Sequence, residues 1–431
     1  MEKTKVGIIG LGTVGSGVAK ILLDHGDRTA RHAGRVLWLE KAAVRDLKKP
    51  RDCDLPAGVL TDDMDEVINH PEIKVVAQLM GGIEPARTVM IKLLEAGKDV
   101  VTANKALLAE HGPELFDRAR ELGRSIAFEA SVAGGIPIIA NLSQCLTANQ
   151  VTSLHGILNG TSNFILDKMH TEGASYSDVV AEAQRLGYAE ADPSMDVDGT
   201  DAAQKLAILS QLAFGARLKW QEIPRSGIDT VDLLDVSYAE EMGYKIKLLA
   251  IADLKEHGLD CEVNPALVRA GSPLGEVGGP FNAVLVKGDA VGPLFYHGQG
   301  AGQMPTASAV VADLIDTAVG RTALTFHTLG LWSDAVKGVD QADFATSTGK
   351  RYVRAMVEDH PGVLAKVTNA FGAEGISIAS ILQKEPLEGD TAVPLVIMTH
   401  RASEAATDRA CATIAALDAC RGEPVKMWVR D

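Results

Sequence analysis

The sequence has few cysteines and no long apolar run. Its 431 residues include five cysteines, an odd number scattered along the chain without a C-x-x-C pair, so neither a disulfide framework nor a zinc site is indicated. The first residues lead directly into a predicted strand, and no apolar stretch is long enough to span a membrane. We therefore expect neither a signal peptide nor a membrane segment. A cytoplasmic location, in a reducing compartment, fits this cysteine usage best.

Positive charge is also in deficit. The chain has 42 lysines and arginines against 57 acids, a formal net charge of −15, which argues against a nucleic acid or an anionic membrane as partner. Local basic clusters remain able to bind phosphate groups. Hydrophobic residues make up 46% and charged residues 23%, as in an ordinary globular protein, and the length is sufficient for two to three domains.

A glycine motif near the N-terminus predicts a dinucleotide site. The apolar run 5–9 is followed by GLGTVG at residues 10–15, and a helical pattern begins directly after it. In G-x-G-x-x-G between a strand and a helix, the glycines let the backbone approach a pyrophosphate that the helix N-terminus faces. A glycine-rich turn that only packs helix on strand is the alternative. The predicted cofactor-binding residues are Gly10, Gly12, Thr13, Val14 and Gly15.

The end of the next predicted strand bears on the choice of nicotinamide cofactor. An acid at this place holds the ribose 2′-hydroxyl of NAD, whereas an arginine accommodates the 2′-phosphate of NADP. Here Arg45 follows the strand 36–44, with Asp46 next and two lysines nearby. The pattern leans toward NADP, and Asp46 keeps NAD open.

Strands and helices alternate as far as residue 128, which is typical of a parallel sheet with ligands at the carboxyl ends of its strands. The strand 99–102 delivers Lys105 at such an end, so this lysine is either catalytic or substrate-holding, or an ordinary surface residue. A later strand, 125–128, leads into the glycine-rich bend 129–137. Glu129 and carbonyl groups of this bend suit a cation, with a tight turn as the alternative.

The most informative stretch is acidic and runs from Gly187 to Asp201. It leads into an apolar helix predicted over 200–214, on which Asp201 and Lys205 share a face. Charged side chains on a helix that is apolar almost all round need partners. The pair is either a structural ion pair or part of a site, and the acidic loop together with the nucleotide motif favours a site.

The rest of the chain changes character twice. Residues from about 138 to 300 contain alternating strand patterns typical of a mostly antiparallel sheet faced by helices. After an irregular stretch from 322 to 349, the order β-α-β-β-α-β predicts a ferredoxin-like fold suited to binding or regulation. The predicted domains are a dinucleotide-binding domain over 1–137, a substrate-binding catalytic domain over 138–325 whose last helix (about 305–320) returns to the first domain, a linker over 326–349 and a regulatory domain over 350–431.

These motifs resemble those of homoserine dehydrogenase with a C-terminal ACT domain, over essentially the whole chain. The matching stretches are Gly10 to Gly15, Thr102 to Lys105, Glu129 to Pro137, Asn159 to Asn163, Gly187 to Asp201 with Lys205, and Gly300 to Gly302. The resemblance implies reversible reduction of L-aspartate 4-semialdehyde to L-homoserine by NADPH or NADH, in threonine, methionine and isoleucine biosynthesis. It also implies an α/β fold: a Rossmann-type nucleotide domain, an α+β substrate and dimerisation domain, and a ferredoxin-like ACT domain.

The resemblance assigns roles to individual residues. Lys205 matches the proton donor to the carbonyl oxygen that receives hydride, which agrees with the chemistry because a cation stabilises a developing alkoxide. Lys105 matches a second active-site lysine, and Glu190 and Asp201 match substrate-holding residues. Gly187 and Gly302 match positions close to the nicotinamide. A monovalent cation, usually sodium, is implied at Glu129, Val132, Gly134 and Ile136, the last three through their carbonyl groups.

The C-terminal domain carries a loop that resembles the ligand loop of ACT domains. Its residues Asp359, His360 and Gly362 imply an amino-acid effector such as threonine, bound at an interface between copies of the domain, and hence a homodimer or homotetramer. The alternative is an ACT domain that serves only for assembly.

Two other functions are weighed. A dehydrogenase of another semialdehyde would need a catalytic cysteine, and the one candidate, Cys145, has the context of a helix interior. A non-catalytic amino-acid sensor would not need Glu190, Asp201, Lys105 and Lys205. A fusion to an aspartate kinase is not expected at this length, with the nucleotide motif near residue 10.

Overall fold

The computed structural model describes residues 2–333, 338–384 and 391–430. The strands are β1 (Lys3–Ile9), β2 (Val36–Ala43), β3 (Leu60–Thr61), β4 (Ile73–Gln78), β5 (Asp99–Thr102), β6 (Ile126–Ala127), β7 (Val151–Ile157), β8 (Tyr244–Lys255), β9 (Gly258–Arg269), β10 (Phe281–Gly288), β11 (Gly292–Gln299), β12 (Thr348–Val357), β13 (Ile378–Gln383), β14 (Val393–Thr399), β15 (Ala402–Ser403) and β16 (Val425–Arg430).

The helices are α1 (Thr13–Asp24), α2 (Gly26–Ala33), α3 (Asp65–Ile68), α4 (Ala86–Glu95), α5 (Lys105–Glu121), α6 (Ile138–Ala140), α7 (Gly160–Glu172), α8 (Tyr176–Leu186), α9 (Ser194–Val197), α10 (Thr200–Phe214), α11 (Leu233–Glu241), α12 (Gln303–Ala318), α13 (Arg321–Leu329), α14 (Val363–Ala373) and α15 (Glu404–Ala415). Within the described part of the chain, none of these helices is long and apolar enough to cross a membrane.

The chain divides into two compact units. The first unit comprises Met1–Leu154, Ala203–Glu222 and Phe281–Asp340, and the second comprises His155–Ala202, Ile223–Pro280 and Gln341–Asp431. Helix α10 begins in the second unit and continues in the first.

A six-stranded parallel sheet carries the glycine motif in the first unit. Its strand order is β3-β2-β1-β4-β5-β6, and each neighbouring pair is parallel. The chain leaves β1 toward one edge of the sheet and returns at β4 to build the other edge. Ligands bind at such a switch point, outside the carboxyl ends of the strands. The predicted Rossmann-type nucleotide domain is confirmed.

Helix α12 belongs to the core of this sheet although it lies late in the chain. Its residues Ala307, Val310 and Leu314 are fully buried in the same cluster as strand residues of β1 and β4. The contact with α1 is close, since a Cβ atom on Gly17 would lie 2.9 Å from the Cβ of Ala307. The absence of a side chain at Gly17 therefore lets the two helices approach.

The irregular stretch predicted from residue 322 contains a helix, so that part of the prediction is wrong. Helix α13 continues to Leu329, and Gly320, in the left-handed conformation with φ of 87°, separates it from α12. The ring of Phe326 packs against that of Phe116, with 5.1 Å between the centroids. One buried residue stabilises α13, and one is too few for a periodic pattern. Residues 334–337 of the predicted linker lie outside the described residues.

The C-terminal part of the second unit has the predicted ferredoxin-like order β12-α14-β13-β14-α15-β16. Its strands are arranged β16-β12-β14-β13, all antiparallel to their neighbours. Buried residues of β12 pack with Phe371 of α14 and Ile414 of α15. Strand β16 also pairs in parallel with β9, which forms a long antiparallel hairpin with β8.

Helix α11 was not predicted. It is joined to the ferredoxin-like sheet by hydrogen bonds and an ion pair of one buried carboxylate. The carboxylate of Asp235, which is fully buried, accepts hydrogen bonds from the Tyr352 hydroxyl at 2.8 Å and from Nε and Nη2 of Arg354 at 2.6 and 2.8 Å. A buried carboxylate with this many charge-assisted partners holds its element firmly, because loss of one partner would leave an unpaired charge.

Candidate active site

The glycines of the motif have different structural tasks. Gly10, with φ of 99°, lies so close to β4 that a Cβ there would be 2.8 Å from the Leu79 carbonyl oxygen, and a Cβ on Gly15 would be 2.2 Å from the Gly10 carbonyl oxygen. A Cβ on Gly12, in contrast, would meet none of the described atoms within 4 Å. Gly10 and Gly15 are thus required by packing, whereas Gly12 leaves open space at the start of α1.

That open space is suited to an anion. Gly12 is the N-cap of α1, and in the described structure its side of the helix has neither a side-chain cap nor an acid in the first turn. Helix N-termini leave backbone N–H groups without intrahelical partners, and these groups favour a phosphate. Thr13 and Val14 form the first turn of α1, so their N–H groups lie at this position.

Arg45 is exposed just after the end of β2. The end of β2 is joined to the glycine loop, since the N–H of Gly10 donates to the Ala43 carbonyl at 3.0 Å. Asp46 uses one carboxylate oxygen within its own turn, accepting from the N–H of Lys48 at 2.8 Å. Arg45 and Asp46 therefore both lie near the place where an adenosine ribose binds in this fold.

Lys105 is the first residue of α5, directly after β5. The preceding Asn104 caps the helix by accepting from the N–H of Leu107 at 3.1 Å, and its amide donates to the carbonyls of Met80 and Gly82 at 3.0 and 2.7 Å. Asn104 thus ties the start of α5 to the loop that follows β4. Lys105 is held at the carboxyl edge of the sheet, partly exposed.

The bend after β6 buries a carboxylate. Glu129 is 6% exposed, and its two carboxylate oxygens accept from the N–H groups of Ile139 and Ala140 at 2.9 and 2.8 Å. Its side chain therefore caps the short helix α6. Of the other three predicted cation ligands, Val132 and Ile136 are buried side chains, and Gly134 flanks a left-handed Ala133 with φ of 50°.

A second carboxyl group lies beside Glu129. The N–H of Glu129 donates to Oδ2 of Asp313 at 2.8 Å. Burial raises the pKa of Glu129 to about 7, against the backbone hydrogen bonds that lower it. Burial and the neighbouring Glu129 carboxyl raise the pKa of Asp313 well above its usual value. Both carboxyls line a cavity of about 540 Å³.

The oxygen-rich bend fits a hard monovalent cation better than a transition metal. In the described residues there is no group of three or more His, Cys, Asp or Glu side chains placed to hold a metal ion, so a site here would rest on carbonyls. A carboxylate has about four lone-pair sites, and the two hydrogen bonds to Glu129 leave capacity for a cation. A nearby positive charge would favour the ionised form of both carboxyls, whose pKa values are raised mainly by burial.

In the second unit, Asn159 connects two carboxylates of the acidic segment. Its amide nitrogen Nδ2 donates to Oδ2 of Asp201 and to Oδ1 of Asp196, both at 2.8 Å. Its amide oxygen accepts from the N–H of Ser162 at 2.8 Å, which caps α7. Asp201 is 5% exposed, so its orientation depends on these neighbours. The sequence analysis included Asn159 in a matching motif but did not predict this contact.

The remaining acids of the segment have separate tasks. Asp192 accepts from the Ser194 N–H at 3.1 Å, and the Ser194 hydroxyl and this N–H lower the pKa of Asp192. Asp198 accepts from the N–H of Thr200 at 2.7 Å, at the start of α10. Glu190 is exposed. Gly187, the first residue of the segment, ends α8 in the left-handed conformation with φ of 78°.

Helix α10 carries both charged residues that the sequence analysis singled out. Asp201 lies in its first turn and Lys205 one turn later. Residues 201–204 and 206–210 are buried, whereas Lys205 is partly exposed. Lys205 is therefore the partly exposed position in an otherwise buried stretch of α10, and a charged lysine is expected at such a position rather than at a fully buried one.

The remaining predicted residues are two glycines at helix starts and two residues of the predicted effector loop. Gly302 is the N-cap of α12, with φ of 127°, and Gly362 is the N-cap of α14, with φ of 93°. In the predicted effector loop, the amide of Gln383 donates to Asp359 at 3.0 Å, and Nε2 of His360 lies 3.5 Å from a carboxylate oxygen of Glu358. The loop is exposed.

Two residues of the candidate site were missed in the sequence analysis. Asn159 precedes a helix, and asparagine is a preferred N-cap, so its position was a usable signal. Asp313 lies on α12, 184 residues after Glu129, and no local pattern indicates that contact.

Comparison with known proteins identifies the family. Family models match residues 10–129 (homoserine dehydrogenase, NAD binding domain), 137–315 (homoserine dehydrogenase) and 351–417 (ACT domain). A homoserine dehydrogenase of Pseudomonas aeruginosa is 44% identical, with 100% of this chain and 99% of the relative covered. That of Bacillus subtilis is 41% identical, with 94% and 93% covered.

Solved structures give the same result. The crystal structure of a homoserine dehydrogenase from Thiobacillus denitrificans is similar with a TM-score of 0.93 at 44% identity, covering 100% of this chain and 99% of that one. A hyperthermophilic archaeal homoserine dehydrogenase in complex with NADPH has a TM-score of 0.61 at 27% identity, covering 74% and 98%. The chain therefore belongs to the homoserine dehydrogenase family, NAD(P)-dependent oxidoreductases acting on a CH–OH group, and carries an ACT domain.

Proposed function

We propose that this chain interconverts L-aspartate 4-semialdehyde and L-homoserine with NADPH or NADH, in the biosynthesis of threonine, methionine and isoleucine. The observation that carries the proposal is helix α10, which presents Lys205 at an accessible position one turn after the buried, hydrogen-bonded Asp201. Full-length similarity to homoserine dehydrogenases at 40–44% identity supports it.

The proposed chemistry needs a proton donor and substrate-holding carboxylates. The nicotinamide, when bound, supplies a hydride to the aldehyde carbon. Lys205 donates a proton to the carbonyl oxygen as negative charge develops there, which stabilises the transition state. Glu190 accepts hydrogen bonds from the substrate ammonium group, Asp201 fixes the substrate beside Lys205, and Lys105 acts as the second active-site lysine.

The cofactor residues are proposed on the geometry of the first unit. The N–H groups of Thr13 and Val14 would hold the pyrophosphate over Gly12, with Gly10 and Gly15 shaping the loop. Arg45 would contact the 2′-phosphate of NADP, which makes NADP the preferred cofactor. The other residues assigned to the cofactor are Lys105, Gly187 and Gly302.

A monovalent cation, sodium as the family resemblance implies, is proposed at the bend after β6. Glu129 and the carbonyl groups of Val132, Gly134 and Ile136 would hold it. Its role would be structural: it would stabilise the ionised form of the buried carboxyls of Glu129 and Asp313, whose pKa values are raised mainly by burial. The bend lies in the first unit, next to α6.

The ACT domain is proposed to bind an amino-acid end product such as threonine through Asp359, His360 and Gly362, in a homodimer or homotetramer. The predicted domain limits, 1–137, 138–325, 326–349 and 350–431, are retained as a proposal. A cytoplasmic location is proposed because all five cysteines, which lie in the described residues, are free thiols.

The test is the rate of homoserine-dependent NADPH and NADH formation at alkaline pH, with and without threonine. We expect activity with both cofactors, higher with NADP, and a lower rate when threonine is present. No turnover of homoserine with either cofactor would contradict the proposed reaction. Turnover that threonine leaves unchanged would retain the reaction and contradict the proposed effector, leaving the ACT domain a role in assembly.

A further inference from the structure

We propose that Asn159 is a positioning residue of the active site, which fixes the carboxylate of Asp201 through its amide group. This inference rests on the proposed function, in which Asp201 holds the substrate beside Lys205. Asn159 itself has no assigned role in the proposed chemistry. Its amide donates directly to the Asp201 carboxylate at 2.8 Å, so it helps to set the direction of that carboxylate.

The amide of Asn159 can adopt one orientation here. Its two N–H donors point to Oδ2 of Asp201 and Oδ1 of Asp196, each at 2.8 Å, and its oxygen receives the N–H of Ser162 at 2.8 Å. A rotation of the amide by 180° would place its oxygen against two carboxylates. An ionised carboxylate has no hydrogen-bond donor, so the amide oxygen would have no partner among them. The neutral amide also separates two carboxylates that would repel each other without it.

The position of Asn159 is itself fixed by helix α7. Asn163, one turn into α7, donates from its amide to the carbonyls of Val277 and Gly279 at 3.1 and 2.8 Å. The buried ammonium of Lys247 donates to Oδ1 of Asn163 at 3.2 Å and to the Val277 carbonyl at 2.6 Å. These hydrogen bonds hold the start of α7 in place. Asn159 precedes α7, so its hydrogen bond holds the Asp201 carboxylate at a fixed position relative to the helix.

The residue type distinguishes positioning from capping. Asparagine, aspartate and serine are about equally good N-caps, so the cap of α7 alone does not require an amide. Among these residues, asparagine alone has two N–H donors on one nitrogen, which the two carboxylates use. An aspartate at 159 would keep the cap and place a third carboxylate against Asp196 and Asp201.

The test compares Asn159→Ser and Asn159→Asp with Ser175→Ala in the full-length enzyme. Both substitutions of Asn159 keep an acceptor for the cap: serine replaces the two N–H donors with one hydroxyl donor of shorter reach, and ionised aspartate has no donor. Ser175 caps α8 by accepting from the N–H of Asp178 at 3.3 Å, so its loss changes a helix cap away from Asp201. The measurements are kcat and KM for homoserine, the Kd of NADP, and the thermal midpoint Tm.

For Asn159→Ser we expect kcat/KM for homoserine to fall about 10- to 100-fold, the range for a lost hydrogen bond to a charged group, with most of the change in KM. Asn159→Asp should fall further because of like-charge repulsion. The Kd of NADP should stay near the wild-type value in both variants. Tm should stay near the wild-type value in Asn159→Ser, which keeps the cap, and fall in Asn159→Asp because of the added repulsion. Ser175→Ala should lower Tm by about 2–4 °C and leave kcat/KM unchanged.

If Asn159→Ser lowers Tm as Ser175→Ala does and keeps the wild-type kcat/KM, Asn159 is a helix cap only and the inference is wrong. The same holds if Asn159→Asp is as active as the wild type. Turnover of homoserine by the wild-type enzyme is measured first. If the wild type does not turn over homoserine, the proposed function is wrong, and the positioning role of Asn159, which rests on it, is wrong as well.

Discussion

The glycine loop at residues 10–15 and the acidic segment at 187–201 prepare their ligand sites in opposite ways. The loop works through missing side chains, since Gly12 leaves open space at a helix start while Gly10 and Gly15 permit close packing. The acidic segment works through side chains held by other side chains, as Asn159 holds Asp201. A backbone site depends on local conformation, whereas a side-chain site depends on contacts distant in the sequence.

The two kinds of site should respond differently to mutation and to pH. Backbone N–H groups do not titrate and need no particular side chain, so the loop is sensitive mainly to added atoms. Lysine and carboxylate side chains are sensitive to removal of the group, to loss of a hydrogen-bond partner and to protonation. Four variants test this difference, beginning with the largest expected effect.

Lys205→Met should abolish turnover while cofactor binding persists. Methionine keeps the length and apolar stem of lysine on α10 but cannot donate a proton, and general acid catalysis contributes about 10²- to 10⁴-fold. We expect kcat to fall by about 10³-fold and the Kd of NADP to change little. Steady-state rates and titration of the cofactor fluorescence measure the two quantities.

A matched control for that variant is Lys219→Met. Lys219 is exposed and pairs with Glu222 at 2.9 Å on the surface, so its removal should leave kcat unchanged. If Lys205→Met kept more than about a tenth of the wild-type rate, the proton-donor role would be wrong, because general acid catalysis is worth more than that.

At low pH, protonation of His170 should destabilise the second unit, which contains His170, Asn159 and Asp201. His170 lies on α7, and its Nε2 accepts from the N–H of Ile246 at 2.8 Å, which requires the neutral ring. Burial, with the charges of Lys247 and Lys245, lowers its pKa from the usual 6.5 to about 4. The unfolded chain therefore binds more protons between pH 6.5 and 4, and stability falls as pH falls through that window.

The effect of His170 should be about 2 kcal/mol after allowance for its partial exposure. His170→Gln keeps an acceptor for Ile246 and removes the titration, so its Tm should fall less than that of the wild type between pH 7 and pH 4.5. His32→Gln, at an exposed position, should follow the wild type. Equal acid sensitivity of the wild type and His170→Gln would contradict the role of His170.

The elements that the sequence predicts are those with a clear residue period, and the elements that it misses lack one. The parallel sheet and the ferredoxin-like order were predicted because strands, turns and helices alternate with clear periods. Helix α7 was missed because residues 161–166 are buried all round, so no amphipathic period exists, and it begins with Gly, Thr, Ser and Asn, which are weak helix formers. Strand β11 was missed because its residues, GPLFYHGQ, do not alternate between apolar and polar types, although half-buried and exposed positions do alternate along it.

The candidate site divides in the same manner. The G-x-G-x-x-G spacing predicted Gly10 and Gly15. The contact of Gly15 with Gly10 is local, whereas the close approach of Gly10 to Leu79 joins distant parts of the chain. The partners of Glu129 are the N–H groups of α6, 10 and 11 residues later, and Asp313, 184 residues later. The partners of Asn159 are 37 and 42 residues away. A hydrogen bond of that kind follows from the tertiary fold, and no residue pattern in one sequence indicates it.

Gly12→Ala should weaken cofactor binding without unfolding the loop. Gly12 has φ of −82°, which alanine adopts freely, and a Cβ there would meet none of the described atoms within 4 Å. The methyl group would instead occupy space proposed for the pyrophosphate. We expect the Kd of NADP to rise about 10-fold, or about 1.4 kcal/mol, with an unchanged Tm.

Gly15→Ala is the counterpart, because its Cβ would lie 2.2 Å from the Gly10 carbonyl oxygen. Gly15→Ala should lower Tm because this contact is too short for the folded loop to accommodate. Wild-type affinity in Gly12→Ala would show that the open space is not the pyrophosphate site, and a stable Gly15→Ala would contradict the packing role.

Arg45→Ala should give the smallest effect, because it tests an exposed charge on the rim of the backbone site. An exposed charge–charge contact contributes about 0.2–1 kcal/mol, so the Kd of NADP should rise about 2- to 5-fold while that of NAD stays constant. The exposed Arg185→Ala, on α8, controls for the loss of one positive charge. Equal losses for NADP and NAD would exclude contact with the 2′-phosphate, because NAD has none. Asp46 would then be the residue to substitute next, since an acid at this strand end is the alternative that favours NAD.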